Sequence, residues 1–90
     1  MPTAIRRFFG IRIKIYHLDH PPPHFHARYG ELEAKISIET LDVLAGRLPP
    51  RVLALVLEWA SRHRPALGQS WASARRKEPL PPIAGLDEEV

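Results

Sequence analysis

Four of the chain's five histidines, His17, His20, His24 and His26, fall within the fourteen residues HLDHPPPHFHARYG, positions 17 to 30, beside Asp19 and three consecutive prolines. An imidazole exchanges protons near neutral pH and also ligates metals, so two chemistries fit. In the first, a strand carrying His24 and His26 presents both rings from one face, with Cα atoms roughly 6.5 Å apart. Two ring nitrogens at about 2.1 Å suit zinc or a similar divalent ion, with His20, His17 or Asp19 as a third ligand. In the second, no metal is needed: one imidazole takes the 2′-hydroxyl proton of RNA as general base, a second serves as acid, and an arginine stabilises the phosphorane. A plain alternative stands beside both, in which a polar sheet face carries imidazoles and Asp19 and His20 cap the loop through its backbone.

The elements that must position these groups are legible as periods. IRIKIY, residues 11 to 16, alternates apolar and polar, which sends Ile11, Ile13 and Ile15 inward and Arg12, Lys14 and Tyr16 outward. TAIRRFFG before it reads as another strand ending in a tight hairpin turn at Phe9-Gly10. HFHARY places Phe25, Ala27 and Tyr29 on one face and His24, His26 and Arg28 on the other. In LEAKISI, Leu32, Ala34, Ile36 and Ile38 oppose Glu33, Lys35 and Ser37. These residues predict a four-stranded antiparallel meander sheet over residues 2 to 39, with one apolar and one charged face. Between its second and third strands, Pro21, Pro22 and Pro23 favour a stiff polyproline-like spacer that holds His20 and His24 apart.

From Pro49 the period becomes helical, with apolar residues at Val52, Leu53, Leu55, Val56, Leu57, Trp59 and Ala60. That stripe is wider than one sheet requires, which makes Leu53, Leu57 and Trp59 candidates for a partner surface or a homodimer contact. Trp59 also reads as a core anchor, as does Trp71. Pro65 ends the first helix or opens the second, where Leu67, Trp71 and Ala74 recur at helical spacing before Arg75, Arg76 and Lys77. His63, near the end of the first helix, reads as a C-terminal cation. The fold class is therefore α+β: a domain over residues 1–77, with helices over 49–77 packed on the apolar face, and an extended Pro-rich tail over 78–90. The tail's Leu80, Ile83 and Leu86 are apolar points able to dock in a groove.

Ninety residues allow one small core. With no cysteine, disulfide scaffolds, thiolate metal sites and cysteine nucleophiles are excluded, and the composition suits a reducing cytoplasm. Neither a signal peptide nor an apolar run near the roughly 20 residues of a membrane span is present, so no membrane partner is expected. The net charge of +3 is uneven: all 13 Lys and Arg precede residue 78, while Glu78, Asp87, Glu88 and Glu89 follow Lys77. A basic body favours an anionic partner such as RNA. On the predicted charged face, His20, His24, His26 and Arg28 are the candidate catalytic residues, and Arg12, Lys14 and Lys35 the candidate nucleic-acid contacts. The metal alternative uses His20, His24 and His26 with a divalent ion; otherwise no cofactor is expected.

The stretch MPTAIRRFFGIRIKIYHLDHPPPHFHARYGELEAKISIET closely resembles the start of the small bacterial proteins grouped as domain of unknown function 4160. The matching residues are Met1, Pro2, Thr3, Asp19, His20, Pro22, Pro23, His24, His26, Tyr29, Gly30, Glu33, Ala34 and Lys35, and the likeness runs on through Trp71 and EPLPPI. It departs from the commoner pattern at Pro49-Pro50 and Pro65. The resemblance implies one half of a two-gene module, a toxin-like protein with a cognate small antitoxin-like partner, acting on RNA or the translation machinery as a ribonuclease or a translation inhibitor; joined to the His/Arg face, the enzyme reading is a metal-independent ribonuclease. The rival readings are a non-catalytic protein-interaction module and a small metal-binding protein.

Overall fold

The computed structural model describes residues 2–80 and 83–86. Its sheet is built on β2, Ile11–Tyr16, whose three isoleucines are fully buried while Arg12 is exposed. β1, Pro2–Phe8, pairs antiparallel with β2 across the two-residue turn Phe9-Gly10. Both turn residues have positive φ, +49° and +78°, the pair of left-handed conformations that matches the twist of a tight hairpin. β3, His24–Tyr29, and β4, Leu32–Ser37, form a second hairpin that turns at Gly30.

Among the described residues the sheet has five strands in the order β1-β2-β3-β4-β5, not the four that alternation predicts. The added strand, β5, is Val43–Gly46, and all four of its residues are exposed. With no buried face it has no hydrophobic period to read, and only backbone pairing with β4 makes it a strand. Gly46 has φ +75°, and a Cβ there would collide with the Glu33 carbonyl oxygen; the adjacent Arg47 N–H donates to that same oxygen at 3.0 Å. The edge strand thereby fixes the backbone that carries Glu33.

Two helices, α1 (Pro50–Arg62) and α2 (Arg64–Arg75), cover the apolar face within the expected span. Proline opens each, where a missing N–H costs no helical hydrogen bond. Val52, Val56, Trp59 and Ala60 of α1 and Leu67 and Ala74 of α2 are buried with Phe8, Ile13, Phe25, Ala27 and Ile36. The Trp59 ring lies 5.4 Å from Phe8 and 6.0 Å from Phe25, so Trp59 is a core residue and offers no surface to a partner. Leu53 and Leu57 are half-buried against the same core. Part of the wide α1 stripe is met by the chain's own C-terminal segment, because Ile83 and Leu86 are buried and Trp59 Nε1 donates to the Ala84 carbonyl at 2.8 Å. The acidic residues Asp87, Glu88 and Glu89 lie outside the described residues, while Glu78 pairs with Arg76. No helix among the described residues is long and apolar enough to cross a membrane.

Candidate functional site

The segment between β2 and β3 bends, with a cis Pro21-Pro22 peptide bond, and is not a continuous polyproline spacer. It is anchored to α2, far along the chain: the Leu18 N–H donates to the Ala74 carbonyl at 3.3 Å, and the Arg75 guanidinium donates to the Asp19 carbonyl oxygen. These bonds, with Leu18 at φ +57°, turn the Asp19 side chain back over the start of β3. The His20 N–H then holds Asp19 Oδ1 at 2.8 Å, which leaves Oδ2 facing the histidines.

Both imidazoles of the His-x-His pair meet that one oxygen. Asp19 Oδ2 lies 2.9 Å from His24 Nε2 and 3.4 Å from His26 Nε2. The far nitrogens also face oxygens: His24 Nδ1 donates to the Pro22 carbonyl at 2.7 Å, and His26 Nδ1 lies 3.3 Å from Glu33 Oε2. His24 projects from the opposite side of β3 to Phe25, yet its side chain is fully buried, because the bent segment and Trp71, at 5.1 Å between ring centroids, cover it. His26 keeps 15 % exposure, and the Tyr16 ring stands edge-on to it at 4.6 Å. Burial pushes the Asp19 carboxyl up, but the His20 N–H and the His26 and His24 rings outweigh it and hold the group below its usual value. Burial first, then the charges of Glu33 and Asp19, raise the Tyr16 hydroxyl against the opposing pull of Arg28.

Asp19, His24 and His26 are thus the described residues whose ligand-capable atoms lie together, all within 4.8 Å. His20, expected as a catalytic residue and as the third ligand of the metal alternative, is exposed and contributes its backbone N–H instead of its ring. The reason is local: the carboxylate one residue earlier is the side chain the bend directs inward. Of the His24 and His26 pair only His26 has side-chain surface to present to a substrate, since the His24 side chain is fully buried.

The remaining candidates line up across the polar face in two rows. Strand register sets Arg7, Arg12 and Arg28 opposite one another on β1, β2 and β3, and Lys14, His26 and Lys35 opposite one another on β2, β3 and β4. Directly opposed side chains have Cβ atoms about 4.5–5.5 Å apart, so, with Glu33 facing Arg28 from β4, the three arginines set like charges on neighbouring strands. They border a cleft of about 480 Å³ with Gly10 and Gly30 at the hairpin end of the sheet. Arg28 is steadied by donation from Nε to the Gly30 carbonyl at 3.0 Å. Sequence reasoning missed Glu33 and Arg7. Glu33 was readable as a polar β4 position, since it is two residues from Lys35 and so diagonal to His26. Arg7 was readable as well, since the two-residue turn at Phe9-Gly10 sets Phe8 against Ile11 and therefore Arg7 against Arg12.

The chain belongs to the family described as "Domain of unknown function (DUF4160)", whose model matches residues 10–72. That span holds the Asp19, His24, His26 and Glu33 cluster, Arg12 and Arg28, and Trp71. No curated protein and no solved structure matches the chain.

Proposed function

We propose that this protein binds the phosphodiester backbone of RNA on the polar face of its sheet, as the toxin-like half of a bacterial two-component module. The observation that carries the reading is the row of Arg7, Arg12 and Arg28 on adjacent strands. Like charges set directly opposite each other destabilise a sheet, and a polyanion laid across them reverses the sign of that interaction. Lys14 and Lys35 flank His26 in the next row, one strand repeat of roughly 7 Å along β3, which continues the basic track toward the Asp–His cluster. The exposed edge of His26 is where that cluster can meet a bound strand, and His24 positions it from behind through Asp19.

A cognate small protein or a second copy of the chain is proposed to pair with the β5 edge, where Val43 and Leu44 are 40 % and 42 % exposed on the last strand of the sheet among the described residues. The RNA reading is tested by expressing the chain in a bacterial host beside an Arg12→Gln/Arg28→Gln version verified as folded by circular dichroism. Growth arrest by the parent, lost in the double variant, is expected. Equal growth with both removes the toxin reading, and arrest by both removes the arginine row from it.

A further inference from the structure

With both rings neutral and protonated on Nδ1, the donor balance around Asp19 Oδ2 does not close. Pro22 offers a carbonyl oxygen, which can only accept, so His24 carries its proton on Nδ1 at 2.7 Å. The Glu33 carboxylate places the same demand on His26 Nδ1 at 3.3 Å. In both neutral rings the lone pair then sits on Nε2, and both Nε2 atoms point at a carboxylate oxygen that is itself an acceptor. Three acceptors converge with no donor among them. The two rings that would have to supply a donor lie with centroids 5.1 Å apart, and the His24 side chain is fully buried.

We propose that Asp19 Oδ2, His24 Nε2 and His26 Nε2 are the protein ligands of a divalent first-row transition-metal ion. Bonds of about 2.1 Å separate neighbouring ligand atoms by about 3.0 Å at right angles and about 3.4 Å at the tetrahedral angle. The two ring nitrogens lie 2.9 and 3.4 Å from Oδ2, which is in that range, and all three ligand atoms lie within 4.8 Å of one another. The outer partners match as well. A ligating histidine characteristically donates its other N–H to a carbonyl or a carboxylate, the roles of Pro22 and Glu33 here. The shell is held from several sides, by the His20 N–H on Oδ1, by Trp71 on the His24 ring and by Tyr16 on the His26 ring. Two histidines and one carboxylate, with no thiolate, suit ions of the manganese-to-zinc series and leave coordination positions open to an outside ligand. Those positions lie on the side of His26 and Asp19, which keep 15 % and 22 % exposure while His24 has none. The inference stands on the cluster alone and does not require the chain to bind RNA.

The test uses the full chain without a histidine tag, stripped with chelator. Zn²⁺ is titrated by calorimetry and Co²⁺ by its visible absorption, which reports the ligand set. One ion per chain at micromolar affinity or tighter is expected. Asp19→Asn and His26→Ala should weaken it by about 100-fold, and Glu33→Gln, which touches only the outer shell, by about 10- to 100-fold. His20→Ala should leave affinity unchanged despite adjoining Asp19. His24→Ala risks the fold because the ring is buried, so the partly exposed His26 and Glu33 carry the decision. Absence of saturable one-to-one binding in the folded parent overturns the proposal, as does binding retained in His26→Ala, or a loss in His20→Ala equal to that in His26→Ala.

Discussion

Replacing Arg12 by Gln should make the protein more stable and a poorer ligand for RNA at the same time. Arg12 stands at the middle of its row, with Arg7 opposite on one side and Arg28 on the other, and is exposed. Each directly opposed like-charge pair costs a sheet about 0.2–1 kcal/mol, and the substitution removes two such pairs while keeping most of the aliphatic stem. A net gain of about 0.5–1 kcal/mol follows, or roughly 2–8 °C in Tm for a domain of this size. Binding moves the other way. Five cations on the polar face, Arg7, Arg12, Arg28, Lys14 and Lys35, give a dependence of log affinity on log salt of about −3.5 for single-stranded RNA, and losing one contact brings it to about −2.8. Thermal denaturation and fluorescence anisotropy of a labelled oligonucleotide between low and physiological salt measure the two effects on the same samples. A fall in Tm would mean that the arginine row is structural, and an unchanged salt slope would mean that RNA does not lie across it; either result refutes the reasoning.

The C-terminal segment and the sheet edge yield two further predictions. Trp59→Phe removes the donor that satisfies the Ala84 carbonyl and leaves that oxygen without its partner, so a loss of about 2 kcal/mol is expected in urea denaturation; a loss under about 0.5 kcal/mol would show that residues 83 to 86 do not stay docked. Leu44→Glu on β5 should shift stability by less than about 0.5 kcal/mol because the side chain is exposed. Light scattering should show it breaking any dimer that forms through that edge, and a dimer that survives the change would place the contact elsewhere.

The order of strands and helices was written in the sequence, because burial on one face imposes a period. Ile11, Ile13 and Ile15 alternate with Arg12, Lys14 and Tyr16, and that pattern alone puts His24, His26, Arg12, Lys14 and Lys35 on one side of the sheet. The left-handed turn at Phe9-Gly10 and the proline starts of both helices are equally local. Three features needed the tertiary structure. β5 is exposed throughout and carries no period. The register of residues 2–4 against β2 is decided by the shift between Ala4 and Arg6, whereas Arg7 opposite Arg12 already follows from the two-residue turn that sets Phe8 against Ile11. The choice of Asp19 over His20 as the side chain that meets His24 and His26 is made by Ala74 and Arg75, which anchor Leu18 and Asp19 from more than fifty residues away. A period records which face is buried. Contacts made by a bend against a distant helix leave no such record, and at this site those contacts decide the chemistry.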